Sequence, residues 1–494
     1  MTPGPAGADS ASNAPAPPPA HSRRRVLGNT LALALGRNLV AISRLVVIAL
    51  MVRHLGTTVF GEYAVLIALL TVAEGVVDFG SSEVAVREIA RQPALRQHLL
   101  RVLTASRFIQ VPLAFALLMV VVLALGYPTS LLEAAAVGGL SLACLGGALV
   151  FRVLFRVDLT MARDMAAELA SVVVMVAGVL WAAHSGGGIL SVMAAYTLSR
   201  LVYFVAGMLL ARRQFRLSVQ GVQWADLRSS AVACSAIGAA GFLVMVYDPL
   251  DVLMLSKLGS VQDVALYSAA QRLAWPLLMV LSAVGGTLYS VVAAAWPHDR
   301  ARAQAACQRG LDVVVLLGTL ALTCTLAGAE LLLQLIGPAV TEGAAALRVL
   351  MALCLVKAVS MTIGPVLLVL REQRSVLAFI ALALVAKAAL IFWAAPRHGI
   401  LGVAWAALVV ELVCVMLPSL VLVARRSGLR LHYGLSLRVL AFGLASAGAA
   451  LALAGGPSLL AAVLGPLLYL GLLAATGMLR PWWRDLKELR GART

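Results

Sequence analysis

The chain has 494 residues, 62% of them hydrophobic and 12% charged, with a mean hydropathy of +0.96 and a formal charge of +17. A bilayer span needs roughly 20 consecutive apolar residues, and this much apolar sequence exceeds what a soluble core can bury, so a soluble enzyme or binding module is excluded. Polar and apolar positions do not alternate along the runs, which excludes a transmembrane β-barrel and leaves helices to satisfy the backbone in lipid.

Residues 1–25, "MTPGPAGADSASNAPAPPPAHSRRR", are rich in Pro and Ala and read as a disordered cytoplasmic tail. The next stretch, "SRRRVLGNTLALALG", imitates a secretory or twin-arginine signal. Its apolar run continues through Arg37 and Arg44 to Met51, so it reads as a first span. Spans are expected at 28–52, 62–83, 106–126, 131–152, 165–184 and 189–211, then at 231–256, 265–291, 310–335, 347–370, 376–395 and 400–424. A last pair follows at 439–455 and 459–479, with Trp482 and Trp483 as interfacial anchors.

On this map the loops on the N-terminal side, with the span ends that adjoin them, carry 29 of the 39 Lys and Arg, and the opposite loops carry Arg53, Lys257 and Arg397. The asymmetry places both termini in the cytoplasm. It also assigns the positive charge to short cytoplasmic loops, against a nucleic-acid partner. The outer loops, such as "YPTS" and "HSGGG", are too short to fold into a domain.

One corner occurs twice. "MVRHLGTTVFGEY" (Met51–Tyr63) joins spans 1 and 2, and "MLSKLGSVQDVALY" (Met254–Tyr267) joins spans 7 and 8. The repeat divides the chain into an N-lobe at 26–226, a C-lobe at 227–424 and a C-terminal segment at 425–494. The expected fold is an all-α polytopic membrane protein of about 14 transmembrane helices: two parallel six-helix lobes around a central cavity, plus a helix pair.

A charge at the bilayer centre costs about 2.5–3.5 kcal/mol on insertion scales, so charges inside spans are expected to face water or one another. Arg37 and Arg44, seven residues apart, share one face of the first helix. They and Arg272, in "YSAAQRLAWP", read as cavity-lining cations; for Lys357 and Lys387, mid-span, cavity lining and buried pairing stand equally open. Arg200 and Arg348, nearer span ends, suit snorkelling or pairing. Asp248 and Asp251 flank Pro249, and these two carboxylates, with Glu74 and Asp78, are candidates for proton or sodium coupling or for salt bridges. No cofactor, metal set or catalytic constellation is legible: histidines show no HExxH spacing, no GxxxxGK[ST] is present, and the six cysteines share no ligand spacing.

The segments "RHLGTTVFGEY", "DFGSSEVAVREIAR" and "DVLMLSKLGSVQDVALYSAAQRLA" resemble bacterial polysaccharide flippases of the Wzx type, from the superfamily that also holds the multidrug MATE exporters and the lipid II flippase MurJ. The resemblance runs from about residue 28 to 424. It implies a two-lobed bundle that alternates between inward- and outward-open states in the bacterial inner membrane. The implied cargo is an oligosaccharide linked through pyrophosphate to undecaprenol, and a polysaccharide polymerase complex is a candidate partner besides membrane lipids. It implies cavity roles for spans 1, 2, 7 and 8, and so supports Arg37, Arg44, Asp78, Asp248 and Arg272. A basic cavity suits a pyrophosphate cargo, because cations offset its desolvation. The alternatives are a lipid II flippase of the MurJ kind and a MATE-like cation antiporter, the latter wanting an acidic or aromatic cavity.

Overall fold

The computed structural model describes residues 39–478 apart from 216 and 430. The expected tail, Arg37, Trp482 and Trp483 lie outside the described residues. Among the described residues there are helices and turns but no strand, and eleven helices are long and apolar enough to cross a membrane. The chain is a multi-pass membrane protein.

The helix over residues 39–54 (α1) leads through the first corner into α2 (Gly56–Asp78) and α3 (Ser81–Arg91). Next come α4 (Arg96–Ala124), α5 (Thr129–Gly139), α6 (Ser141–Val157), α7 (Met161–His184) and α8 (Ile189–Ala211), which complete the first lobe. The second lobe comprises α9 (Trp224–Tyr247), α10 (Leu250–Leu258), α11 (Val261–Ala295), α12 (Arg300–Ile336), α13 (Ala344–Val369), α14 (Gln373–Val410) and, after a π-helical turn, α15 (Leu417–Ser427). The last pair, α16 (Gly434–Leu453) and α17 (Leu459–Ala475), packs on α12, where the Tyr469 hydroxyl donates to the Leu316 carbonyl.

Several expected spans have internal breaks. Span 4 is split at Leu140 into α5 and α6, and span 7 is split at Pro249, whose missing N–H interrupts the helical ladder, into α9 and α10. Spans 11 and 12 merge into one helical run in which Gly399 alone leaves helical geometry, at φ 54°. The chain doubles back there. Lys387 and Glu411 would stand about 36 Å apart on a straight helix, yet Tyr247 touches both, accepting at its carbonyl from Lys387 and donating its hydroxyl to Glu411.

"DFG" at 78–80 also marks a break. Phe79 and Gly80 both take positive φ, turning the chain from α2 into α3. A side chain at Gly80 would lie 2.8 Å from the Gly238 backbone nitrogen, so α9 passes directly against this turn.

The two repeated corners meet. α2 packs along α11, and a Cβ on Gly61 would lie 2.4 Å from the Val261 carbonyl oxygen. At the same end Tyr127 and Ser256 share a hydrogen bond of 2.6 Å, the Lys257 ammonium donates to the Leu125 carbonyl, and Arg53 donates to the carbonyls of Gln334, Leu335 and Ile336. The last carbonyls of α12 have no intrahelical donors, and the Arg53 fork supplies them. The first lobe is thereby tied to the second at the corner end. Gly61→Leu is expected to force this end apart, because the obstacle is backbone. In a background lacking the six native cysteines, a disulfide between cysteines placed at 127 and 256 forms readily, and Gly61→Leu suppresses it. Undiminished cross-linking would contradict this packing.

Candidate functional site

A cavity of about 430 Å³ lies between the lobes, lined by α1, α2, α6, α7 and α8 on one side and by the α9–α10 junction and α11 on the other. Its floor and walls carry four arginines (Arg44, Arg152, Arg200, Arg272) and three carboxylates (Glu74, Glu168, Asp248). The expected positive interior is therefore cationic only by a small excess.

Most of these charges are already matched. Arg44 Nη2 reaches Glu168 Oε1 at 2.8 Å, joining α1 to α7. Tyr196, Arg200 and Tyr203 lie on one face of α8, at i, i+4 and i+7. Arg200 donates to the Tyr196 hydroxyl at 3.0 Å and faces Glu74 at 3.8 Å; Arg152 donates to the Tyr203 hydroxyl at 3.0 Å, and that hydroxyl donates to Asp164 at 2.6 Å. Arg272, entering from α11, is different. It is half-buried and has no ion pair or hydrogen bond among the described residues.

The structure separates the remaining candidates. Lys357 and Lys387 are not on the cavity lining, and pairing is what the packing selects for both. Lys357 binds Asp248 at the cavity edge. Lys387 lies behind it, 2.6 Å from Asp251, with both side chains at most 4% exposed. Asp251 also accepts from Tyr267 at 2.7 Å. The salt-bridge reading of Asp248 and Asp251 therefore describes the contacts, and the partners are the two lysines. Asp78 stands apart from the cavity, at the α2–α3 turn, where it accepts from Arg107 at 3.2 Å and from the Ser82 backbone at 3.3 Å. All four carboxylates named as coupling candidates thus face a cation, and an incoming sodium ion would have to displace it.

Arg152, Glu168, Tyr63, Tyr196, Gln271 and Trp275 line the cavity without having been singled out in the sequence. Arg152 closes expected span 4 and Glu168 lies in the first turn of expected span 5, positions where a charge gives no sign of lining a cavity. Their signal was depth: α6 runs on to Val157 and α7 starts at Met161, so both side chains sit inside a helix. Tyr63 and Tyr196 meet edge to face, with ring centroids 6.5 Å apart.

The match that decides family membership covers this region. The model of the family described as "Polysaccharide biosynthesis protein" matches residues 26–295, more than half of the chain. The chain belongs to this family. Its fold is that of the superfamily in which the Wzx resemblance placed it. The solved structure "Lipid II flippase MurJ, inward closed conformation" matches with a TM-score of 0.74 at 10% identity, covering 92% of this chain and 99% of that one. An inward-facing multidrug resistance MATE family transporter of the MOP superfamily matches with a TM-score of 0.65 at 16% identity, covering 81% and 98%. A MOP superfamily transporter from Pyrococcus furiosus Vc1, whose title reports reversed polarity of the binding pocket, matches with a TM-score of 0.57 at 15% identity, covering 82% and 95%. No curated protein matches by sequence. At these identities the neighbours establish the fold, while the family model establishes the membership.

Proposed function

We propose that this polysaccharide biosynthesis family member is a flippase that moves a pyrophosphate-linked oligosaccharide on undecaprenol from the cytoplasmic to the outer leaflet of the bacterial inner membrane. The single observation that carries the reading is Arg272: a guanidinium without a counter-ion among the described residues, facing the arginines of the opposite lobe across a cavity. A guanidinium so placed suits a phosphate group, which it can bind through two parallel hydrogen bonds. Tyr63, Tyr196 and Trp275 add aromatic faces, and Gln271 an amide, for a sugar. The basic loops support cytoplasmic termini, which makes the tied corner end the outer seal. Alternating access then requires the corner contacts to break while the opposite end closes. A polysaccharide polymerase would take the product. Because the lining carries one more cation than anions, a MATE-like cation cargo fits it poorly.

Electrical driving follows from the cargo's charge. Each elementary charge crossing the membrane is worth about 2.3 kcal/mol per 100 mV, so a dianionic headgroup leaving a negative compartment gains roughly 4–5 kcal/mol at that potential. In proteoliposomes loaded with a fluorescent undecaprenyl-pyrophosphate oligosaccharide, flipping is expected to accelerate when the loading side is made negative. Voltage-indifferent flipping would remove the electrical drive. Absence of any flipping by well-folded protein would remove the function. Competition by lipid II on equal terms would favour the MurJ-like alternative.

A further inference from the structure

We propose that Glu168 is an internal counter-anion: its carboxylate holds the phosphate seat of the empty cavity and yields it to the incoming headgroup. The inference rests on the flippase reading above and adds a residue that changes partners during the cycle.

The carboxylates around the cavity differ in how tightly they are held. Asp164, one turn before Glu168 on α7, is buried, accepts from Tyr203 and faces Arg152 at 3.5 Å. That arrangement is structural, and removing one partner leaves a buried charge uncompensated. Asp248 is committed to Lys357, and Glu74 sits beyond the Tyr196–Arg200 contact. Glu168 is held by Arg44 alone among the described residues, through a single contact at 2.8 Å. Arg44 is 53% exposed and Glu168 14%. With Arg44 half in water, the pair contributes less to stability than a fully buried one, so its partners can exchange at smaller cost.

Glu168 is also positioned as a phosphate would be. Besides the contact to Arg44, it lies within electrostatic range of Arg152 and Arg200, which line the same cavity. Three guanidiniums thus share the cavity with this carboxylate, and Arg44 is the one in contact with it. A headgroup that docks on Arg272 brings a second phosphate towards Arg44, from α1 of the other lobe. A phosphate dianion offers more acceptor oxygens and more charge than the carboxylate, and takes Arg44 from it. Arg44 and Arg272 then clamp the pyrophosphate between the lobes.

The same exchange serves the return step. Once the headgroup leaves, Glu168 re-pairs with Arg44, and the emptied cavity resets with one fewer uncompensated positive charge. Without this carboxylate the cavity would hold its anion more tightly and reset more slowly.

The test uses the full chain in nanodiscs, with farnesyl pyrophosphate as the probe, and proteoliposome turnover as a second readout. Glu168→Gln is expected to bind the probe about tenfold more tightly and to turn over about tenfold more slowly. In the Arg44→Ala background the same substitution is expected to change affinity less than twofold, since the partner it frees is gone. Glu168→Asp, which keeps the charge but shortens the reach, is expected to lie between. A structural role would instead lower thermal stability and weaken binding and turnover together. That result, or unchanged affinity in both Glu168→Gln and Glu168→Asp, would overturn the inference. If Glu168→Gln fails to fold, Glu168→Asp decides, an affinity at or below that of the parent counting against it. Should Arg272→Ala still weaken probe binding in those cases, the flippase reading stands without the exchange. If neither Arg272→Ala nor Arg44→Ala alters binding, the flippase reading itself falls.

Discussion

On the proposed flippase function, Arg272→Ala is expected to abolish export of the lipid-linked saccharide and to leave the amount of protein in the membrane unchanged. Arg272 makes no ion pair or hydrogen bond among the described residues, so its removal strands no buried partner and costs the fold little. Its loss falls on cargo. Truncating one side of a desolvated, hydrogen-bonded charge pair costs about 2–5 kcal/mol, and the lower part of that range suits a half-buried group. A loss of about 2–3 kcal/mol weakens headgroup binding roughly 30- to 150-fold. Probe affinity measured in nanodiscs and surface polysaccharide measured in cells should fall together. Arg272→Lys keeps the charge but not the planar fork, and is expected to recover part of the affinity. Normal polysaccharide in the alanine variant would remove Arg272 from the mechanism.

Lys387→Ala produces the opposite pattern, a loss of folded protein. The ammonium sits among the Asp251 carboxylate at 2.6 Å, the Tyr247 carbonyl at 3.0 Å and the face of the Tyr247 ring, 4.3 Å from its centroid. Removing it leaves Asp251 buried with Tyr267 as its remaining donor. Breaking a buried pair in this way costs about 3–5 kcal/mol. Replacing both ions, as in Lys387→Met with Asp251→Leu, removes the stranded charge and should restore most of the stability, because apolar pairs of similar volume often equal or exceed the ion pair they replace. Thermal unfolding in detergent and abundance in the membrane both report this. If Lys387→Ala were as stable as the parent, the packing of α10 against α14 would need another explanation.

The span pattern was legible because lipid imposes it. Each pass must be long and apolar enough to cross, so the order of the fourteen expected spans could be written down before any contact was known, though not their internal breaks. The flagged charges were also informative, since Arg44, Glu74, Asp248 and Arg272 all line the cavity. What failed was depth and partnership. Arg152 and Glu168 stand near the ends of expected spans, and hydropathy windows blur helix ends by several residues, so their depth was not legible. For Lys357 and Lys387 cavity lining and buried pairing stayed equally open, because the run of residues does not say which way a helix is rotated in the bundle.

Composition and apolar period are local properties, and they alone established a helical membrane bundle, the doubled corner and the presence of charges that needed shelter. Which charge shelters which is a property of packing. Asp248, at the α9–α10 junction, meets Lys357 of α13, and Asp251 meets Lys387 only because α10 is seated against α14. Arg44 of α1 meets Glu168 of α7 across the cavity, and Arg272 is left over because among the described residues no carboxylate pairs with it. Helices three to ten elements apart had to be brought together before one guanidinium could be recognised as available to a ligand.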